Sequence, residues 1–262
     1  MFLVLSKSSV AVSSFEIDMG RARGGTYVDT KRISASAWMT PSFKHNWATH
    51  LRHLRLRYDQ ETDTTTFGTD IVQIATNLKT LFIDSPFGRD TDSLISQLGN
   101  TETLPNIKDL TIARARLRES SMTGLMIRLG SSLRSLTFHR TALVDGSWKT
   151  VIAVVRSNMP HLESFTIQEL RDRGREQRIL LCPLRNKENS MFEFCDLSYR
   201  TKSRAGGVRY HGQQMQQALG KISASLYGYP LAPRVTSPGM TGKIGLAEEY
   251  LSSFDLREEY DV

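Results

Sequence analysis

The stretch Leu104–Leu170, LPNIKDLTIARARLRESSMTGLMIRLGSSLRSLTFHRTALVDGSWKTVIAVVRSNMPHLESFTIQEL, holds three copies of one spacing: a large apolar residue, two variable positions, a second, one variable position, a third. The copies are Ile107/Leu110/Ile112, Leu133/Leu136/Phe138 and Leu162/Phe165/Ile167. Two more lie upstream, at Leu51/Leu54/Leu56 and Leu78/Leu81/Ile83. Successive starts fall 27, 29, 26 and 29 residues apart. That interval belongs to arrays in which each unit of roughly 20 to 29 residues supplies one strand and one helix.

The spacing has a physical cause. Residues two apart in a strand share a face, so the last two apolar positions of each copy point to one core, while the first closes the bend from the preceding segment. One unit cannot cover its own apolar side, and stacking several gives a continuous core. The sequence therefore predicts an α/β fold, a leucine-rich repeat solenoid of five strand-helix repeats, with a parallel sheet on the concave side and disordered tails.

Parallel strands need returning helices, and the connections carry their signals. Residues 68–77 place Ile71, Ile74 and Ala75 on one face after Thr69 and Asp70, and residues 90–98 do the same with Leu94, Ile95 and Leu98 after Asp92. Ser120 or Ser121 is expected to cap a helix bearing Met122, Leu125, Met126 and Leu129. Ser147 precedes Trp148, Val151, Ile152 and Val155, and Pro160 closes that run. Three residues past the last apolar position such repeats usually carry Asn or Cys. Here Ala115 and Thr141 stand there, each followed by a leucine at Leu117 and Leu143, and the first two units have Asp59 and Pro86. The array is degenerate.

Around it, residues 1–32 are rich in Ser, Gly and Arg and are expected to be disordered. Residues 33–182 form the array, opened by a capping helix with Trp38, Met39, Phe43, Trp47 and Ala48. Residues 183–227 read as a C-terminal ββα cap: MFEFCDLSYR and VRYHG are strand-like, and Met215, Ala218, Leu219 and Ile222 share a helix face. Residues 228–262 are a Pro-rich linker and an acidic tail, in which Glu248, Glu249, Asp255, Glu258, Glu259 and Asp261 face Arg257 alone from residue 245 onward.

The chain has 262 residues, 39% of them hydrophobic, and a net charge of +7. No apolar run approaches the ~20 residues of a membrane span. Met1–Leu5 is apolar but is broken by Ser6, Lys7, Ser8 and Ser9, so a flexible start is expected rather than a secretory signal. Cys182 and Cys195 make no disulfide framework, and a cytoplasmic or nuclear location follows as the expectation.

Catalytic chemistry finds no footing. His45, His50 and His53 lack a further ligand at metal spacing. Gly239–Lys243 fails as a phosphate loop, with Ser237 at the first glycine position and Ile244 where the magnesium ligand belongs. No catalytic residue, metal or cofactor is expected. Basic clusters at Arg52/Arg55/Arg57, Arg114/Arg116/Arg118 and Arg171/Arg173/Arg175/Arg178 suggest a positive edge. A basic nucleic-acid-associated scaffold is the alternative they raise, although interleaved aromatics are lacking.

Leu104–Leu170, together with VRYHGQQMQQAL at Val208–Leu219, resembles the degenerate repeats of fungal F-box-type leucine-rich repeat proteins and the segment that closes them. The resemblance implies a ubiquitin-ligase adaptor that docks a Skp1-like subunit through the F-box and holds a substrate protein on the repeats. An F-box needs a Leu-Pro opening and aliphatic helices, and residues 1–50 contain neither. A Skp1-like partner is therefore expected only if an F-box exists elsewhere, as in a fragment or an F-box-less relative. The expected partner is a protein, held on the concave face by residues that alternate with the core positions: His53, Arg55, Arg57, Thr80, Phe82, Asp84, Asp109, Thr111, Ala113, Ser135, Thr137, His139, Ser164, Thr166 and Gln168.

Overall fold

A computed structural model describes residues 10–18, 40–57, 66–85, 91–172, 177–180, 191–195 and 207–230. The chain divides into two compact units, Met1–Pro230 and Leu231–Val262, and every described residue belongs to the first. The acidic tail lies outside the described residues.

Each of the five apolar triplets ends in a five-residue strand: β2 (His53–Arg57), β3 (Thr80–Asp84), β4 (Asp109–Ala113), β6 (Ser135–His139) and β8 (Ser164–Gln168). They pair in parallel without slippage, so Leu54, Leu81, Leu110, Leu136 and Phe165 stand in one row. Leu56, Ile83, Ile112, Phe138 and Ile167 stand in another. All ten are buried. A one-residue slip would turn every one of these side chains to water, which is why the period fixes the register. The first position of each triplet, Leu51, Leu78, Ile107, Leu133 and Leu162, is buried ahead of its strand.

Two additions complete the sheet. Residues 14–18, expected to be disordered, form strand β1 (Ser14–Asp18), parallel to β2. Ile17 is buried and Phe15 packs edge-on against Trp47 at 5.0 Å, so short alternation inside a polar segment suffices once a neighbouring strand edge and an aromatic face receive it. At the other end β12 (Gly207–His211) pairs antiparallel with β8, and β11 (Glu193–Cys195) antiparallel with β12. The order is β1-β2-β3-β4-β6-β8-β12-β11.

Helices return the chain between the parallel strands. They are α1 (Pro41–His50), α2 (Phe67–Ile74), α3 (Asp92–Asn100), α4 (Glu119–Leu129) and α5 (Trp148–Asn158), with α6 (Met215–Ser225) after β12. Their apolar faces join the strand rows in one core from Ile17 to Ile222. Helix α1 is capped by Thr40, which accepts from the Phe43 amide at 3.3 Å, and Trp47 stacks on Phe43 and donates to the Ile71 carbonyl. Helix α2 is shorter than expected and ends before Ala75.

The N-terminus of α4 departs from the sequence reading. Neither Ser120 nor Ser121 caps it, and Ser121 is buried. The amides of Arg118 and Glu119 donate instead to Asp92 at 2.7 Å and Asp145 at 2.9 Å, carboxylates of the flanking units. The same exchange serves α5, where Glu119 accepts from the Ser147 amide at 2.6 Å and Asp172 from that of Trp148 at 3.2 Å. Ser147 also caps α5 as expected, accepting from Lys149. Gly146 makes the approach of Glu119 possible: its φ is +70°, and a Cβ there would overlap the Glu119 side chain.

A second, smaller sheet runs beside the first in the order β13-β10-β9-β7-β5. Its members β5 (Arg116–Leu117), β7 (Ala142–Leu143) and β9 (Arg171–Asp172) each follow a main strand and are mutually parallel, while β10 (Gln177–Leu180) and β13 (Tyr227–Pro230) add antiparallel. Residues 228–230, read from sequence as linker, thus pair with β10. The residues read as the degenerate Asn position are buried: Ala115 lies in the core, and the Thr141 hydroxyl donates to the Ile112 carbonyl at 3.1 Å. Asp59 and Pro86 lie outside the described residues.

Candidate functional site

The side chains that alternate with the core rows form three further rows on the opposite face of the main sheet. One runs Ser14, His53, Thr80, Asp109, Ser135, Ser164 and His211; the middle one runs Glu16, Arg55, Phe82, Thr111, Thr137, Thr166, Arg209 and Glu193; the third runs Asp18, Arg57, Asp84, Ala113, His139 and Gln168. All fifteen residues expected on this face are in these rows. Their exposure differs. His53 is exposed, most others are half-buried, and Asp84, Ala113 and Thr166 are buried, so those three offer a partner little surface.

Sequence reading missed Glu16 and Asp18 on β1 and Arg209 and His211 on β12. The signal was present as alternation, Phe15 and Ile17 against Glu16 and Asp18, and Val208 and Tyr210 against Arg209 and His211. What periodicity could not show is that β12 joins this sheet in reverse direction.

The Arg55 guanidinium lies 4.5 Å from the centre of the Phe82 ring, a cation-π contact between adjacent strands. Its Nε is 3.6 Å from Glu16. Below it Arg57 donates to Asp18 at 2.7 Å and approaches Asp84 at 3.9 Å. Arg114 donates through both Nε and Nη2 to the two oxygens of Asp84, whose side chain is only 2% exposed. Arg140 pairs with Glu169 at 3.2 Å. Arg114, Arg140 and Glu169 share one backbone feature: each follows a main strand and has φ between 52° and 53°. This left-handed turn hands the chain from the large sheet to the small one, at a cost of about 1–2 kcal/mol for each residue with a Cβ.

Four of the arginines expected to make a positive edge, Arg55, Arg57, Arg114 and Arg118, face carboxylates, while Arg116 is exposed. Arg134 and Arg140 also face carboxylates. Arg52 donates to the carbonyls of Thr49, Leu51 and Asn77. Arg173 and Arg175 lie outside the described residues. Apart from the pair on the buried Asp84, these ion pairs are exposed and contribute little stability, but they offset much of the positive charge around the sheet.

His139 is set among these charges. Burial pulls its imidazole below the ordinary histidine value of 6.5, Arg140 and Arg114 push the same way, and Glu169 and Asp84 oppose them. His45 and His50 lie on α1 and His53 on β2. Among the described residues no group of three or more His, Cys, Asp or Glu is placed to hold a metal ion, and no helix is long and apolar enough to cross a membrane. Compared with protein-family models and with curated proteins, the chain matches none.

Proposed function

We propose that this chain is a leucine-rich repeat solenoid and acts as a protein-interaction scaffold, with the outward face of the main sheet as its binding surface. The observation that carries this reading is the Arg55–Phe82 stack in the open middle row. Arginine and aromatic side chains at the centre of a broad face are where interface free energy concentrates. The uninterrupted register of five strands from units of 26 to 29 residues supports the repeat reading. The pairing of Arg55, Arg57, Arg114 and Arg118 with carboxylates favours this reading over a nucleic-acid scaffold.

In its most concrete version the scaffold is a substrate-recognition module related to ubiquitin-ligase adaptors. That version requires a Skp1-like protein to co-purify, and an F-box to be supplied from elsewhere. The broader reading is tested by affinity purification of the full chain beside Phe82→Ala, Arg55→Ala and Thr137→Arg. Proteins held by the wild type should be weakened by roughly 1 to 3 kcal/mol in each alanine variant and lost when the Thr137→Arg side chain fills the face. Equal retention by all three, with unchanged melting temperatures, would move the site off this sheet.

A further inference from the structure

We infer that the edge of β2 is a strand-binding site for an extended segment of a protein partner, of the pattern aromatic, acidic, aliphatic, acidic, and that β1 is a tethered occupant which the partner displaces. The site is the end of the main sheet rather than its outward face, and it stands whether or not that face binds.

The chemistry of the ligand is visible because the site already holds such a segment. Phe15, Glu16, Ile17 and Asp18 lie in parallel register with Leu54, Arg55, Leu56 and Arg57. Ile17 is buried, and Phe15 packs edge-on against Trp47. Glu16 faces Arg55 at 3.6 Å, and Asp18 accepts from Arg57 at 2.7 Å. The amides of Arg52 and His53 both donate to the Ser13 carbonyl, and the Asn46 amide group donates to that of Val10. Main-chain bonds along a sheet edge, with places for alternate side chains, are the means by which strand addition binds a peptide.

What makes the occupant exchangeable is how little of it is built into the core. Each of the other five parallel strands buries both its core positions and the apolar residue ahead of them. Strand β1 buries Ile17 alone, with Phe15 half-buried. It stands at the end of the sheet order, and among the described residues no helix precedes it. A segment with so few buried contacts opens at a lower cost than the interior strands. Opening also uncovers the charges that select a replacement. Glu16 and Asp18 leave with β1, and Arg55 and Arg57 then line the bare edge. Arg55 keeps the Phe82 ring, and Arg57 keeps its 3.9 Å approach to Asp84, a carboxylate already taken by Arg114. Carboxylates at the same two positions restore the charge-assisted contacts, which are roughly twice as strong as neutral ones.

The test is binding of a fluorescent peptide copying residues 10–18, VAVSSFEID, to the full chain. In the wild type β1 competes from within the same molecule, and the apparent affinity is reduced by the fraction of molecules whose edge is open. Ile17→Asp removes the buried anchor of β1. This variant should bind the peptide about tenfold more tightly than the wild type or better, as when the open form starts below about 10%. Peptides carrying Ile17→Asp, or Glu16→Lys with Asp18→Lys, should bind the variant about tenfold more weakly than the parent peptide. The parent peptide should also restore hydrogen-exchange protection to β2 in the variant. Thermal melts confirm that the variant is folded. If it is not, Glu16→Lys with Asp18→Lys in the chain takes its place, since that change loosens β1 by repulsion from Arg55 and Arg57 without placing a charge in the core. A folded, loosened variant that binds no tighter than the wild type, parent and altered peptides that bind alike, or loss of the fold in both loosened variants would overturn the inference and leave β1 an integral strand of the core.

Discussion

At the scale of single residues, Asp84 holds the charges at the ends of the strands. Its side chain is 2% exposed and receives Arg114 through two hydrogen bonds, with Arg57 behind it. Removing a buried ion-pair partner typically costs about 3–5 kcal/mol, and the partial exposure of both arginines lowers this to roughly 2–3 kcal/mol. Asp84→Ala should show that loss in chemical denaturation, whereas an effect below about 0.5 kcal/mol, the usual range of a surface change, would mean the cluster is solvated. His139 adds a pH dependence. Its folded-state value lies below 6.5 because burial and the two arginines disfavour the imidazolium. Its contribution is therefore full above pH 6.5 and is lost as pH falls from there through the folded value. His139→Gln should flatten that part of the stability profile, and an unchanged acid limb would assign the loss to other groups. None of this was legible in the sequence: Asp84 was read as a partner-facing residue, because alternation gives the face of a side chain and not what covers it.

At the scale of elements, the five main strands and the helices between them were legible to within a few residues because the apolar period encodes them, whereas β1 and the short strands of the second sheet were not. The helix caps were not. A serine before an apolar run is a local signal, and it succeeded at Ser147, where the hydroxyl accepts from Lys149. It failed at Ser120 and Ser121 because α4 receives its acceptors from Asp92 and Asp145, each 26 residues away in the chain. Glu119 repays the connection by accepting from Ser147. These carboxylates join one unit to the next as well as ending a helix. Glu119→Ala should cost about 1–2 kcal/mol, the range of a strong cap. In a double-mutant cycle with Asp145→Ala the two losses should couple, since both act at the junction of α4 with α5. Strict additivity would show that they act as independent local caps. Ile152→Asp, on the wholly buried face of α5, should cost roughly 4 kcal/mol or more by placing an unpaired charge in the core. An unchanged melting temperature would show that this face is not packed.

At the scale of the whole molecule, the period showed how a core could be built but not where it would stop. Its ends are made by segments that do not obey the period: β1 with the Phe15, Phe43 and Trp47 cluster on one side, and β12 with α6 on the other. A segment as polar as SFEID becomes a strand only because β2 offers it an unpaired edge, information that lies in the neighbour. In the solenoid proposed here each unit touches only those beside it, so stability is a sum of unit and interface contributions, and the ends open before the middle. Two buried aromatics separate this from a uniformly cooperative unit. Phe138 lies centrally, in contact with both Trp148 and Phe165, whereas Trp47 belongs to the N-terminal end. Truncating either to alanine removes a comparable apolar area and should cost about 3–5 kcal/mol. Native-state hydrogen exchange should then show Trp47→Ala accelerating exchange in β1, β2 and α1 while β6 and β8 keep their protection. Phe138→Ala should lower protection in β4, β6 and β8 together. Uniform acceleration across all strands by Trp47→Ala would mean that the sheet opens as one unit, and the repeat-by-repeat description of its stability would have to be abandoned.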